Sequence, residues 1–159
     1  MIMPLITIAS LERIAAPRLA EMLRAANAQA KIAVVDVRDD DHIGGHIRTS
    51  LHFPSASLDA TMPTLLRRLA DKEVVVFHCA LSQQRGPGAA LRYLREKDVA
   101  QRKEAAAASN GEAEKKTGEE EKAQKVYVLD EGFVGWQAVY GLDEQLTEGY
   151  RKDLWEEGY

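Results

Sequence analysis

The only cysteine of the chain, Cys79, follows the run Val74, Val75, Val76, Phe77, His78 and opens the segment CALSQQRGP, in which Arg85 stands after five intervening residues. A thiolate is a nucleophile, and a guanidinium is a planar fork that holds two oxygens of a tetrahedral oxyanion at once, a geometry lysine does not reproduce. Together they suit one kind of chemistry, in which sulfur attacks and arginine stabilises the group in transfer. A lone cysteine at the end of a strand is ordinarily an inert small hydrophobe. A structural turn, however, needs no Ser82, Gln83, Gln84, Arg85 and Gly86-Pro87 behind it.

The elements around the loop explain how such a site is built. Val74 to Phe77 is β-branched and aromatic and reads as a buried strand, while Gly86-Pro87 followed by Ala89, Ala90, Leu91 and Leu94 reads as a helix with proline near its first turn. Backbone N–H groups from Ala80 to Arg85 are then expected to converge on one point, which the positive end of the helix also faces. That field should bind an oxyanion and favour the thiolate of Cys79. The catalytic candidates are Cys79 and Arg85, and the oxyanion-binding candidates are Ala80, Leu81, Ser82, Gln83, Gln84 and Arg85.

Strand and helix signals alternate along the chain, which predicts an α/β domain with a central, mainly parallel sheet and helices on both faces. Strands are expected at Leu11 to Ile14, Ile32 to Val37, Val74 to Phe77 and Val126 to Leu129, with a short extended piece at His52-Phe53-Pro54. Helices are expected from Pro17 to about Asn27, Thr64 to Leu69, Gly86 to Lys97 and Phe133 to Tyr140, and the tail RKDLWEEGY reads as a short terminal helix or a docking segment. Residues 100–124 hold no large aliphatic or aromatic side chain, so burial cannot offset their ordering entropy. They read as a flexible surface insert whose alanines can extend the preceding helix. No domain boundary is placed there, so residues 1–159 are read as one domain.

Composition narrows the function classes. With 159 residues, 45% hydrophobic and 29% charged, the chain can bury one proper core. A formal charge of −4 gives no sign of nucleic-acid binding. No stretch is long and apolar enough for a membrane span, and MIMPLITIASLER lacks the basic start and apolar core of a signal peptide, so a cytosolic or nuclear monomer is expected. With one cysteine, no disulfide forms within the chain, and any redox cycle must borrow an external thiol such as glutathione. His42, His46 and His52 lack the companions of a metal site, and no metal is expected. His78 is expected to shape the loop rather than act as a base, His46 to fix a turn, and Trp136 to anchor the last helix in the core. Asp36 and Arg38 are expected to pair with each other or to buttress the loop, a support role rather than direct chemistry.

The string HCALSQQRGP resembles the active-site loop of the rhodanese-fold phosphatases that act on cyclin-dependent kinases, and that of the arsenate reductases on the same fold. VVDVRDDDHIGGHI (Val34 to Ile47) and LDEGFVGWQ (Leu129 to Gln137) are similar to further motifs of that group, and the likeness spans about residues 11 to 140 with the insert skipped. The resemblance implies a rhodanese-like domain and a tyrosine or dual-specificity phosphatase working through a phosphocysteine at Cys79. Its substrate would be a phosphorylated protein or a small aryl phosphate, with no cofactor. The alternative it implies is arsenate reduction with glutathione or another external thiol. Two readings are weaker: sulfur transfer, because sulfurtransferases of this fold have a loop one residue shorter, and a non-catalytic phosphate-binding regulatory module, which Ala80 allows but an intact Cys79 and Arg85 oppose. One departure bears on mechanism. The cell-cycle phosphatases have glutamate after the catalytic cysteine, where this chain has Ala80. Asp36, Asp39, Asp40, Asp41 and Glu131 remain as candidate proton donors; alternatively the substrate's own proton suffices, which favours phenolate leaving groups.

Overall fold

The computed structural model describes residues 7–25, 27–108 and 123–157. Their strands are β1 (Glu12–Ile14), β2 (Ile32–Asp36), β3 (His46–Ile47), β4 (Leu51–His52), β5 (Val74–His78), β6 (Lys125–Leu129) and β7 (Thr147–Glu148); the helices are α1 (Ala16–Arg24), α2 (Ala28–Lys31), α3 (Leu58–Leu69), α4 (Arg85–Ala108), α5 (Gly132–Tyr140) and α6 (Lys152–Glu156). Five strands form one sheet in the order β1-β6-β5-β2-β4, every pair parallel. β3 and β7 make a separate two-stranded antiparallel ribbon.

The central strands alternate between two cores, as period-2 geometry requires. Ala33, Val35, Val75 and Phe77 face one side, under Leu58, Met62, Leu65 and Leu69 of α3 and Ala89, Ala90 and Tyr93 of α4. Val34 and Val76 face the other, against Leu19 and Ala20 of α1 and Phe133 and Trp136 of α5. Buried on both faces, β2 and β5 read as continuous apolar runs. Both end on polar residues, and Asp36 is in register with His78 at their carboxyl ends. That edge of the sheet is where an α/β fold leaves room for a ligand.

Several boundaries differ from the sequence expectation. α3 begins at Leu58, six residues ahead of Thr64, and runs through Pro63. Its buried stripe Leu58, Met62, Leu65 and Leu69 offsets the backbone bond that proline removes. α4 continues past Lys97 to Ala108, so the first residues of the expected insert are helical. Its last residue, Gln124, is a fixed anchor rather than flexible: Nε2 donates to Leu69 O and Lys72 O at 2.6 and 2.8 Å, and Oε1 accepts from Tyr93 Oη at 2.6 Å. The rest of that insert, 109–122, lies outside the described residues. The tail forms α6, and Trp155 Nε1 donates to Gly44 O at 2.9 Å while its ring meets Phe133. No helix among the described residues is long and apolar enough to cross a membrane.

Candidate active site

β5 delivers Cys79 to the carboxyl edge of the sheet, and α4 carries the chain away from Arg85 onward. Between them the loop curls around the sulfur. Cys79 is buried, and its Sγ accepts N–H groups from Ser82 at 3.2 Å and Gly86 at 3.3 Å. Ser82 reaches this position with a positive φ of 55°.

The carbonyl groups of the loop are drawn outward by named donors. Cys79 O accepts from Phe133 N at 2.9 Å and from the His78 Nδ1 side at 3.1 Å, Ala80 O accepts from Val134 N at 2.9 Å, and Ser82 O accepts from Arg13 Nη2 at 2.9 Å. In a planar trans peptide the N–H of the next residue points opposite to the carbonyl. The amides of Ala80, Leu81 and Gln83 are therefore turned away from α5 and Arg13, and none of them donates to a protein acceptor among the described residues. The first turn of α5 acts as a clamp: its own unpaired amides take the loop carbonyls. The clamp depends on Gly132, whose φ is +57° and whose place would bring an added Cβ within 2.4 Å of Ala80 O.

Below the loop lies a buried ion pair. Asp36 and Arg38 are both fully buried; Arg38 Nε donates to Asp36 Oδ1 and Oδ2 at 3.0 Å, Nη2 donates to Oδ2 at 2.7 Å, and the same Nη2 reaches Gly45 O at 2.8 Å. The guanidinium lies 4.3 Å from the Phe133 ring centroid. Burial opposes the charge on Asp36, yet its carboxyl is held below the usual range. His78 is held below its ordinary value by its own burial, so Arg38 is the cation that keeps Asp36 ionised. His78 Nε2 lies 3.8 Å from Asp36 Oδ2 and has no hydrogen-bond partner among the described residues. Asp36, Arg38 and His78 thus form one buried cluster at the carboxyl ends of β2 and β5, where His78 directly precedes Cys79. The Ser82 hydroxyl is likewise buried without a partner among the described residues.

Arg85 is held from the opposite loop. Its Nη1 and Nη2 donate to Asp41 Oδ1 and Oδ2 at 2.8 and 2.5 Å, and Nη1 also reaches Asp39 Oδ2 at 3.2 Å. Asp39 is fixed in turn by Ser55 Oγ at 2.5 Å and Ala56 N at 2.9 Å. The pairing with Arg85 holds Asp41 down at about 2, against the opposing effect of its partial burial. Gln83, Gln84 and Leu81 are exposed at the mouth of the loop, and Ala80 is half-buried. Arg13 and the Gly132 clamp were not among the expected site residues; Arg13 is 69 residues from its loop partner and carries no local motif, whereas Gly132 lies within the LDEGFVGWQ segment, the signal that could have found it.

Of the other residues considered, Trp136 is buried and donates from Nε1 to Thr147 Oγ1 at 3.0 Å, anchoring α5. His46 sits in the β3–β7 ribbon, 3.7 Å from Glu148. His42 stacks on His52 at 3.7 Å, and among the described residues no group of three or more metal-ligating side chains is placed to hold an ion.

A family model described as the rhodanese-like domain matches residues 16–139. The CDC25-like phosphatase YCH1 of Saccharomyces cerevisiae is 39% identical over 133 residues, covering 77% of this chain and 76% of that protein. Arsenate reductase 2.1 of Oryza sativa subsp. japonica is 36% identical over 123 residues, covering 74% of this chain and 64% of that protein. The crystal structure of Saccharomyces cerevisiae Ygr203w, described as a homologue of single-domain rhodanese and of the Cdc25 phosphatase catalytic domain, matches with a TM-score of 0.72 at 32% identity and covers 94% of each chain. Sequence and architecture agree, and the chain belongs to the rhodanese-like domain family.

Proposed function

We propose that this protein is a cysteine-dependent phosphatase acting on aryl phosphate esters, including phosphotyrosine in proteins, through a phosphocysteine at Cys79. The observation that carries the reading is the Cys79 sulfur receiving the amides of Ser82 and Gly86 inside a loop whose Cys79, Ala80 and Ser82 carbonyls are bonded to donors outside it and whose last residue is Arg85. Sγ attacks phosphorus, the bond to the leaving oxygen breaks, and the inward amides with Arg85 hold the oxygens on which charge accumulates. Water then attacks phosphorus, the P–S bond breaks and phosphate departs. The named phosphatase relative supports this assignment.

The arsenate reductase relative supports a second activity of the same loop, since arsenate matches phosphate in shape and charge. There the thiolate displaces hydroxide from arsenic(V). An external thiol such as glutathione then attacks Cys79 Sγ, so that two thiols become one mixed disulfide and arsenic leaves as arsenite. A further thiol restores Cys79, the chain having no second cysteine. Hydrolysis of a chromogenic aryl phosphate, abolished in Cys79→Ser, supports the phosphatase. Thiol-dependent arsenate reduction without aryl phosphate turnover selects the reductase instead, and phosphate binding with neither activity overturns both.

A further inference from the structure

We propose that Asp41 is the proton donor to the leaving oxygen, carried into place by its end-on bond to the arginine that receives the oxyanion. The inference rests on the phosphatase reading. Its starting point is what the loop lacks: Ala80 offers no carboxylate, and no other loop residue is an acid.

The structure sorts the five acids that the sequence left open. Asp36 is fully buried and committed to Arg38. Asp40 forms no hydrogen bond to Arg85, and Glu131 lies along α5, with its Oε2 3.1 Å from where a Cβ on Gly135 would stand. Asp39 accepts from Ser55 Oγ and Ala56 N as well as from Arg85, and those two donors stay with it when a substrate engages Arg85. Asp41 alone spends both carboxylate oxygens on Arg85, with one further bond from Asp39 N at 3.0 Å.

The fork geometry of arginine then sets where a substrate lies. Asp41 occupies the Nη1/Nη2 end, while the Nε–H and the second Nη2–H form another fork with no protein acceptor among the described residues. A tetrahedral oxyanion seated on that edge shares Nη2 with Asp41 and becomes its neighbour. Charge favours a proton at that point. Asp39, Asp41 and Arg85 sum to −1, so a dianion arriving beside them is repelled unless a proton comes with it. In the free protein Asp41 is ionised through its pairing with Arg85; once that cation is shared with the substrate, the carboxyl gives up one of its two bonds to the guanidinium and takes the proton on that oxygen, from a monoanionic substrate or from solvent. As Sγ bonds to phosphorus and the ester bond breaks, that proton passes to the leaving oxygen. In the second step the carboxylate takes a proton from the attacking water.

The test compares leaving groups on the full chain, because an acid matters most where the leaving group is poor. In Asp41→Asn, turnover of phenyl phosphate should fall by about 10²-fold, and turnover of 2,4-dinitrophenyl phosphate by about tenfold or less. Asp41→Glu should recover part of the phenyl phosphate rate, and Asp40→Asn should match the wild type on both. Equal losses on the two esters would reduce Asp41 to a positioner of Arg85, and no loss on either would remove it from the reaction; both overturn the proposal. If the wild type hydrolyses neither ester, the phosphatase reading itself fails and takes this inference with it. Thermal unfolding of each variant separates a lost acid from a lost fold.

Discussion

Gly132 passes so close to the carbonyl oxygen of Ala80 that a Cβ there would lie 2.4 Å from it, far inside any tolerated contact. With a φ of +57°, the position resists L side chains on conformational grounds as well. Gly132→Ala should therefore cost about 1–3 kcal/mol from the backbone alone and push the loop off α5. The expected outcome is a lower unfolding midpoint together with at least about a tenfold loss of kcat/KM on aryl phosphate, the loop being displaced by a contact only 2.4 Å long. Unchanged kinetics in a folded variant would mean that the clamp does not shape the loop.

Arg13 makes the corresponding contact from the far side, where Nη2 donates to Ser82 O at 2.9 Å. The side chain is 43% exposed and also pairs with Asp130, so little stability rests on it. Arg13→Gln should leave the unfolding midpoint nearly unchanged and weaken tungstate binding about fivefold, the value of one hydrogen bond of about 1 kcal/mol. Equal affinity in the variant would show that Ser82 needs no external tether.

The buried Asp36–Arg38 pair predicts a larger effect on stability. Arg38→Met strands a carboxylate in the core and should cost about 3–5 kcal/mol, read from urea unfolding. Replacing both residues, as in Asp36→Leu with Arg38→Met, should recover much of that loss. A single variant as stable as the wild type would contradict the assignment of Arg38 as the counter-charge of Asp36.

His78 supplies a pH dependence with a definite sign. Burial holds its ring below the ordinary value of 6.5, so between that value and its native one the unfolded chain binds the extra proton. Stability is full above about pH 6.5 and falls as the solution is acidified, and His42, also lowered by burial, acts in the same direction. In His78→Asn, which keeps a donor for Cys79 O, the drop in urea midpoint between about pH 7 and pH 5 should shrink. An undiminished slope would place the proton uptake elsewhere.

What could be read from the chain alone followed the range of the interactions. Cys79, the loop and the start of α4 lie within one short segment, so their residue types announced the arrangement. Asp36 and Arg38, two residues apart at a strand end, were legible for the same reason. Arg13 on Ser82 and the α5 amides on Cys79 and Ala80 join distant segments, and nothing local distinguishes Arg13 from other exposed arginines. The grip of Asp41 on Arg85 spans 44 residues; the acids were visible, but which of them faces the loop is a matter of folded geometry. Two-residue strands such as β3 and β7 are too short to carry periodicity, and α2, four residues long, leaves no stripe to detect. The helix expected from Thr64 begins instead at Leu58 and runs through Pro63, where packing outweighs propensity.

The proposed reaction begins with transfer of phosphorus to Cys79 Sγ. Acid quenching of the protein during turnover of an aryl phosphate, followed by mass spectrometry of the peptide that contains residue 79, tests this directly. The expected result is a phosphoryl group on Cys79 that appears with substrate and is absent in Cys79→Ser, which also does not turn over. Undiminished turnover in Cys79→Ser, or turnover with the phosphoryl group on any other residue, would contradict it.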